Sequence, residues 1–146
     1  MAGRLELLTG DECFALAATQ QIGRLGVNDD HYPLIFPVNF ALDHRVIVIR
    51  TGPGTKLKLS SHANVTFEVD QFDAETRSGW SVLIRGLAEE ITAHHGPDVL
   101  ERTLSAGVDP WAPGQHGHWL RLIPHAVTGR RIAPGDLPAV FPSAAQ

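Results

Sequence analysis

The sequence predicts a mainly β (α+β) domain, built as a closed antiparallel barrel with a few helices on its outside. Three observations favour this architecture. Six or seven short segments carry the β-branched or alternating apolar residues that are typical of strands. Only two or three segments have helical spacing, and they lie between the strands without a strict β-α-β alternation. The connections are short, as in an antiparallel meander.

Length and composition restrict the class of protein. The 146 residues suffice for one domain with a substantial core. The net charge is −4 and no basic block occurs, which argues against nucleic acid as the main partner. The single cysteine, Cys13, excludes an internal disulfide and a cysteine-based metal site. No apolar run reaches membrane-spanning length and no signal peptide is recognisable, so we expect a cytoplasmic protein.

The first predicted helix runs from Thr9 to Thr19. Thr9 and Glu12 have the spacing of a capping box, in which each side chain accepts a hydrogen bond from the other residue's backbone N–H. Cys13 falls on the apolar face of this helix, which indicates a core residue rather than a nucleophile. A strand is predicted over residues 20–27, where two glycines indicate a bulge or a close backbone approach.

The next strand, Tyr32 to Ala41, is apolar on both faces, which predicts a barrel wall covered on both sides. Pro37 has no N–H to donate to a ladder, so it predicts a sheet edge or a bulge. Asn39 is the only strongly polar residue in the middle of the strand. Its amide could be satisfied within the core or could bind a ligand.

The stretch from Arg45 to Lys58 contains the most informative local pattern. Four β-branched residues, 46–49, predict a buried strand, and the Gly-Pro-Gly turn at 52–54 leads into a short helix that ends near His62. Backbone N–H groups at such a turn can approach an anion. The side chains that could bind a phosphate here are Arg50, Thr51, Thr55 and Lys56. The spacing differs from that of a P-loop, and a helix cap with two solvated cations is the alternative.

The second half of the chain continues in the same manner. A polar loop is expected over 73–79 and a helix over 96–106, followed by a Pro- and Gly-rich loop that contains Trp111. Trp111 could lie over a ligand or close the end of the barrel. Pro124 is expected to separate the last two strands. The remaining strands are predicted over 65–70, 80–91, 118–123 and 126–132, and we expect a loosely ordered tail over 133–146.

The sequence offers no constellation of catalytic side chains. The eight histidines lack zinc-ligand spacing, so we predict no metal site. Ser81 has no Gly-x-Ser-x-Gly context, and the adjacent carboxylate pairs fall in a turn and near a strand end. An enzyme of this kind would depend on a cofactor for its chemistry.

Five motifs then occur in an order that resembles the pyridoxamine 5′-phosphate oxidase-like flavin-binding split β-barrels. They are PVNF (37–40), RTGPGTK (50–56), FEVD (67–70), GWSVLIRG (79–86) and WLRLIP (119–124). The resemblance covers about residues 5–132 and implies a homodimer with an FMN site at its interface. It also implies a flavin-dependent oxidoreductase that acts on a small molecule.

The resemblance assigns the cofactor-binding residues in four groups. The backbone of 36–39 would run along the flavin ring, and the phosphate would lie at the stretch described above. The start of the long strand would contact the flavin, while the C-terminal strands of the second subunit would add an aromatic and an arginine. These candidates are Phe36, Pro37, Val38 and Asn39; Arg50, Thr51, Thr55 and Lys56; Trp80 and Ser81; and Trp119 and Arg121.

Two departures argue against synthesis of pyridoxal phosphate. The C-terminal Arg-x-His is replaced by GRRIAP, and the family's Ser-Arg-Lys is Gly-Thr-Lys here. One enzymatic alternative is a deazaflavin-dependent reductase on the same fold. Another is a binding protein that holds flavin or haem without turnover, with His62, His116 or His118 as an axial ligand.

Overall fold

Strands dominate the computed structural model, which describes residues 3–114 and 116–134. The described residues form seven strands and three helices. In chain order the elements are β1 (Arg4–Leu7), α1 (Gly10–Ala17), β2 (Ile22–Asp29), β3 (Tyr32–Asp43), β4 (Val46–Thr51), α2 (Thr55–Ser60), β5 (Ala63–Asp73), β6 (Ser78–Glu90), α3 (Pro97–Ser105) and β7 (His118–Ala133).

Six of the strands close into a barrel in which every pairing is antiparallel. The sheet order is β1-β7-β4-β3-β2-β5-β6, and an additional pairing between β6 and β7 joins the two ends. β1 lies outside this ring and pairs only with the end of β7. The closed antiparallel split barrel predicted from the sequence is therefore confirmed.

The core lies inside the ring and consists of the inward-facing residues of each strand. Leu25, Phe67 and Ile84 are fully buried on the neighbouring strands β2, β5 and β6, and the ring centres of Phe40 and Phe67 lie 4.9 Å apart in an edge-on arrangement. Cys13 of α1 is also fully buried, which confirms its prediction as a core residue. Burial raises the pKa of its thiol, so the protonated form is favoured.

Local signals located the helices well. Thr9 caps α1, its side chain accepts from the Glu12 N–H, and the Glu12 carboxylate accepts from the Thr9 N–H, as the capping box predicted. The hydrogen bond that the Thr9 backbone N–H donates to the carboxylate is the largest effect that lowers the Glu12 pKa. In α3, Leu104 is 61% exposed, and Thr103 occupies the buried position.

Three strand predictions were wrong. β1 was missed, because its leucines are exposed and pairing with β7 rather than burial fixes it. The predicted break at Pro124 is absent, since β7 continues through it with a register shift opposite Gly86. The polar loop at 73–79 is shorter, since β5 and β6 pair as far as Asp73 and Ser78.

β3 differs from its prediction on its outer face. Ile35 is 71% exposed and Pro37 is exposed, so this part of the wall is covered on one face only. In the described structure, residues 32–39 pair with β2 on one side and with no strand on the other. Pro37 therefore marks an edge, as one of its two interpretations predicted, and the β2–β3 ladder has no bulge there.

The expectations for the C-terminal tail and for membrane-spanning segments remain. The predicted C-terminal tail lies outside the described residues from 135 onward. Among the helices that are described, none is both long and apolar enough to cross a membrane.

Candidate functional site

Lys56, in the first turn of α2, is a half-buried cation. Its Nζ lies 5.9 Å from the centre of the Phe36 ring on the neighbouring edge strand, which is a cation–π distance. Within the described residues no carboxylate oxygen lies within 4.0 Å of Nζ. Burial lowers the Lys56 pKa, because the charged form loses water without gaining a counter-ion.

Arg50, at the end of β4, is the second half-buried cation of the same stretch. It pairs in register with Trp119 of β7, and its guanidinium lies 4.8 Å from the centre of that indole. Its Nε–H donates to the His116 carbonyl at 3.0 Å. Among the described residues, no carboxylate lies within 4.0 Å of the Arg50 guanidinium nitrogens.

The turn between the two cations has open space on its outer side. Gly54 adopts φ 142°, a conformation that favours glycine, and a Cβ at this position would meet no atom within 4 Å. Thr55 is exposed at the start of α2. Thr51 is only 3% exposed and its hydroxyl donates to the Gly52 carbonyl, so this hydroxyl is already engaged.

Asn39 is tied into the fold through its side chain. Its Nδ2 donates to the Gln21 carbonyl at 3.3 Å, and its Oδ1 accepts from the Trp111 N–H at 2.8 Å. The Trp111 indole N–H donates to the Gln21 side chain at 3.3 Å, while 63% of the residue is exposed. Trp111 is therefore held beside Asn39 with most of its surface exposed.

Arg121 lies in the interior rather than at a surface. It is 6% exposed, donates to the Asp43 carboxylate at 2.8 Å and to the Thr103 hydroxyl at 3.1 Å, and so links β7 to the β3–β4 turn and to α3. Hydrogen bonds from Arg121 and His44 hold the Asp43 pKa below its usual value despite burial. The structure does not place Arg121 with the other predicted residues.

Trp80 and Ser81 lie on opposite faces of β6. Trp80 is 7% exposed and belongs to the core. Ser81 is half-buried on the outer face, where it pairs with Asp70 of β5 and Arg130 of β7. Of the other ring candidates, Val38 is buried in the core whereas Pro37 is exposed on the edge strand.

A charged cluster on the outer sheet face was not predicted. Arg24 of β2 lies 3.2 Å from the Glu68 carboxylate and 3.5 Å from that of Asp70, both on β5. Desolvation and the neighbouring Asp70 raise the pKa of Glu68 to about 7. The alternation of residues 65–70 places both carboxylates on one face, but only the β2–β5 register shows that they meet Arg24.

The structure thus brings the predicted residues together in two pairs, Lys56 with Phe36 and Arg50 with Trp119. Each pair combines a half-buried cation with an aromatic ring. Such surroundings can hold an anionic group beside a planar apolar one. His118, one of the open candidates, instead pairs with the Glu90 carboxylate at 2.7 Å.

Comparison with known proteins agrees with this fold. A solved FAD-binding protein of Mycobacterium smegmatis is 34% identical, with a TM-score of 0.76 over 87% of this chain and 99% of that one. A structure from Corynebacterium glutamicum is 29% identical, with a TM-score of 0.77 over 94% and 99%. An uncharacterized Mycobacterium tuberculosis protein is 29% identical over 131 residues, 86% of this chain and 84% of that protein.

The model of the pyridoxamine 5′-phosphate oxidase family matches residues 9–131, which is most of the chain. It covers all the residues predicted to bind the cofactor, including both cation–aromatic pairs. This chain belongs to the pyridoxamine 5′-phosphate oxidase family.

Proposed function

We propose that this chain binds a flavin nucleotide and uses it as an oxidoreductase on a small molecule. The observation that carries the proposal is Lys56, a half-buried cation that has no carboxylate partner in the described structure. A cation that has lost water is unfavourable unless an anion compensates it. The phosphate of a flavin nucleotide would supply that anion.

The surroundings of Lys56 suit such a ligand. Phe36 offers an apolar surface beside the cation, and Arg50, six residues earlier in the chain, supplies a second positive charge. Thr55 is exposed, and its hydroxyl can donate a hydrogen bond to a ligand. In this proposal Lys56, Arg50 and Thr55 hold the phosphate, and the exposed edge at 36–39 orients the ring. A bound flavin supplies hydride and electron transfer.

FMN and FAD are the two candidate cofactors. FMN ends in the single phosphate for which Lys56 and Arg50 are suited, and the sequence resemblance favoured it. FAD is the second candidate, because the Mycobacterium smegmatis protein that is 34% identical to this chain binds FAD. A deazaflavin carries a longer acidic tail, and Lys58, which is exposed, is the only further cation within the stretch 50–58.

We also propose that the chain forms a homodimer around this site. Over residues 32–39, the outer edge of β3 pairs with no strand of the described structure and carries exposed apolar residues, among them Tyr32 at 73% and Ile35 at 71%. Proteins rarely leave such an edge uncovered. A second copy would cover it and bring further side chains to the ring.

Titration with FMN, FAD and riboflavin, followed by flavin fluorescence, tests the proposed binding. Replacing Lys56 by alanine removes one charge-assisted contact, so FMN should bind more weakly by about 1.5–3 kcal/mol. Lys58→Ala is the matched control, because Lys58 lies exposed on the same helix and should leave the Kd nearly unchanged.

Riboflavin lacks the phosphate and controls for effects on the ring. Its affinity should be the same for the wild type and for both variants. Equal FMN affinity in Lys56→Ala and Lys58→Ala would overturn the assignment of Lys56 to the phosphate. Comparison of the FMN and FAD dissociation constants for the wild type decides between the two cofactors.

A further inference from the structure

A cleft opens where β2 and β5 diverge. The two strands pair only from Arg24 to Gly26 on β2, opposite Glu68 to Thr66 on β5. Beyond this ladder, residues 27–29 and 63–65 no longer pair with each other. The space between them forms a cleft of about 670 Å³, within the size range of small-molecule sites.

The β7 bulge shapes the opposite wall of this cleft. Gly86 pairs with Pro124 and Arg85 pairs with Ala126, so His125 is the extra residue between them. Gly86 permits this approach, because a Cβ there would lie 2.1 Å from the Ile123 carbonyl oxygen. Bulges commonly redirect a side chain beside a binding site, and here His125 lines the cleft.

The lining of the cleft combines an apolar wall with positive charge. Arg85 and His125 are the basic residues of the lining. Five lining residues are aliphatic, namely Val27, Leu34, Ile35, Val65 and Ala126. Three carry an amide or a hydroxyl group, namely Asn28, Asn64 and Thr66. Among the described residues no carboxylate lines the cleft, although the chain has 16 acidic residues against 12 Lys and Arg. In the described part of the chain, no carboxylate lies within 4.0 Å of Arg85.

We propose that this cleft binds a small organic anion, an aliphatic or aromatic carboxylate whose apolar body lies between the diverging strands. Its carboxylate would pair with Arg85 and its neighbour His125 at the rim, while Asn64 and Thr66 offer further hydrogen bonds. None of the residues predicted to bind the flavin lines the cleft. Leu34 and Ile35 of its lining belong to the β3 edge that we assign to the dimer interface, so the cleft borders that interface and is a second site, beyond the function proposed above.

Three ligands of equal chain length test the proposal, namely octanoate, octylammonium and octanol. Each is titrated into the ¹⁵N-labelled full chain as purified, with backbone amide shifts as the readout. Octanoate should saturate and shift the amides of residues 26–28, 64–66, 85–86 and 125–126. Octylammonium and octanol should bind at least tenfold more weakly, since neither gives Arg85 an anionic partner.

Arginine variants identify the charge responsible. Arg85→Gln should weaken octanoate binding about tenfold or more, which is the usual loss for one charge-assisted hydrogen bond. Arg77→Gln is the matched control, because Arg77 is exposed in the turn at the far end of the β5–β6 hairpin and should change the Kd less than twofold.

Several results would overturn the proposal. These are equal affinity for the three ligands, shifts outside the cleft, or an unchanged Kd in Arg85→Gln. Absence of octanoate binding, with cleft amides that shift on dilution alone, would show that a second copy fills the cleft instead. If the protein binds octanoate but takes up no flavin, that result would support anion binding in the cleft and would contradict only the flavin proposal.

Discussion

Lys56 and Arg50 show how two similar side chains in one stretch differ in their surroundings. Arg50 contacts the Trp119 ring and donates to the His116 carbonyl, whereas the Lys56 ammonium lies over the Phe36 ring, 5.9 Å from its centre. Burial removes water from the Lys56 ammonium and so lowers its pKa. An anion bound at Lys56 would raise this pKa again, so the phosphate proposal depends more on Lys56 than on Arg50.

Glu68 provides a pH-dependent prediction at the same scale. Its pKa rises from 4.5 to about 7 in the folded protein, because desolvation and Asp70 disfavour the carboxylate. The folded state therefore binds this proton more tightly than the unfolded state, and the stabilisation present at low pH is lost as the pH rises from about 4.5 to 7. Urea unfolding of the wild type should show a free energy that decreases over this range.

Glu68→Gln isolates the contribution of that carboxyl group. The variant stays neutral, so its stability relative to the wild type should increase by on the order of 1 kcal/mol between pH 5 and pH 8. Glu75→Gln, an exposed position in the β5–β6 turn, controls for the loss of one negative charge. Parallel stability curves for the wild type and Glu68→Gln would contradict the raised pKa.

At the scale of elements, the sequence predicts those helices and strands that residues close together in the chain specify. The capping box of α1, the β-branched run of β4 and the Pro at the start of α3 each specify their element without tertiary context. β1 and the continuous β7 depend on pairing with distant strands, and Pro124 is accommodated by a bulge that only the β6 register reveals. These features could not be predicted from residues near one another in sequence.

The candidate site follows the same division. The stretch from 50 to 56 could be located, since its two cations and its turn are adjacent in sequence. The Asn39–Trp111 contact joins residues 72 positions apart, and the Arg121–Asp43 pair joins residues 78 apart. No sequence motif links the residues of either pair, so the position of Trp111 and the burial of Arg121 could be seen only in the structure.

The exposed edge of β3 leads to a prediction about assembly. Sedimentation velocity at tens of micromolar should give a mass of about twice 15.8 kDa. Ile35→Lys places a charge on the outer face of the edge and should shift the protein toward monomer, because a buried unpaired charge opposes association.

Leu7→Lys is the control for this assembly test. Leu7 is 79% exposed on β1, away from β3, and its replacement should leave the mass unchanged. A monomeric wild type, or an Ile35→Lys variant that sediments as the wild type does, would contradict the proposed interface.

For the whole molecule, the sequence predicts a closed barrel, but it does not predict the order of the strands or the β6–β7 pairing that closes the barrel. Alternating apolar segments indicate strands, but β7 pairs with β1, β4 and β6, and no local pattern specifies three partners. The order of five motifs indicated the family, and the match over residues 9–131 confirms it. Within that family, the residues of this chain support flavin binding through Lys56 and its surroundings.

The most direct test of that central claim is the absorption spectrum of the freshly purified protein, recorded before and after denaturation. We predict the two visible bands of an oxidised flavin, with release of about one FMN or FAD per chain on unfolding. A colourless protein that also fails to take up added FMN or FAD would contradict the account.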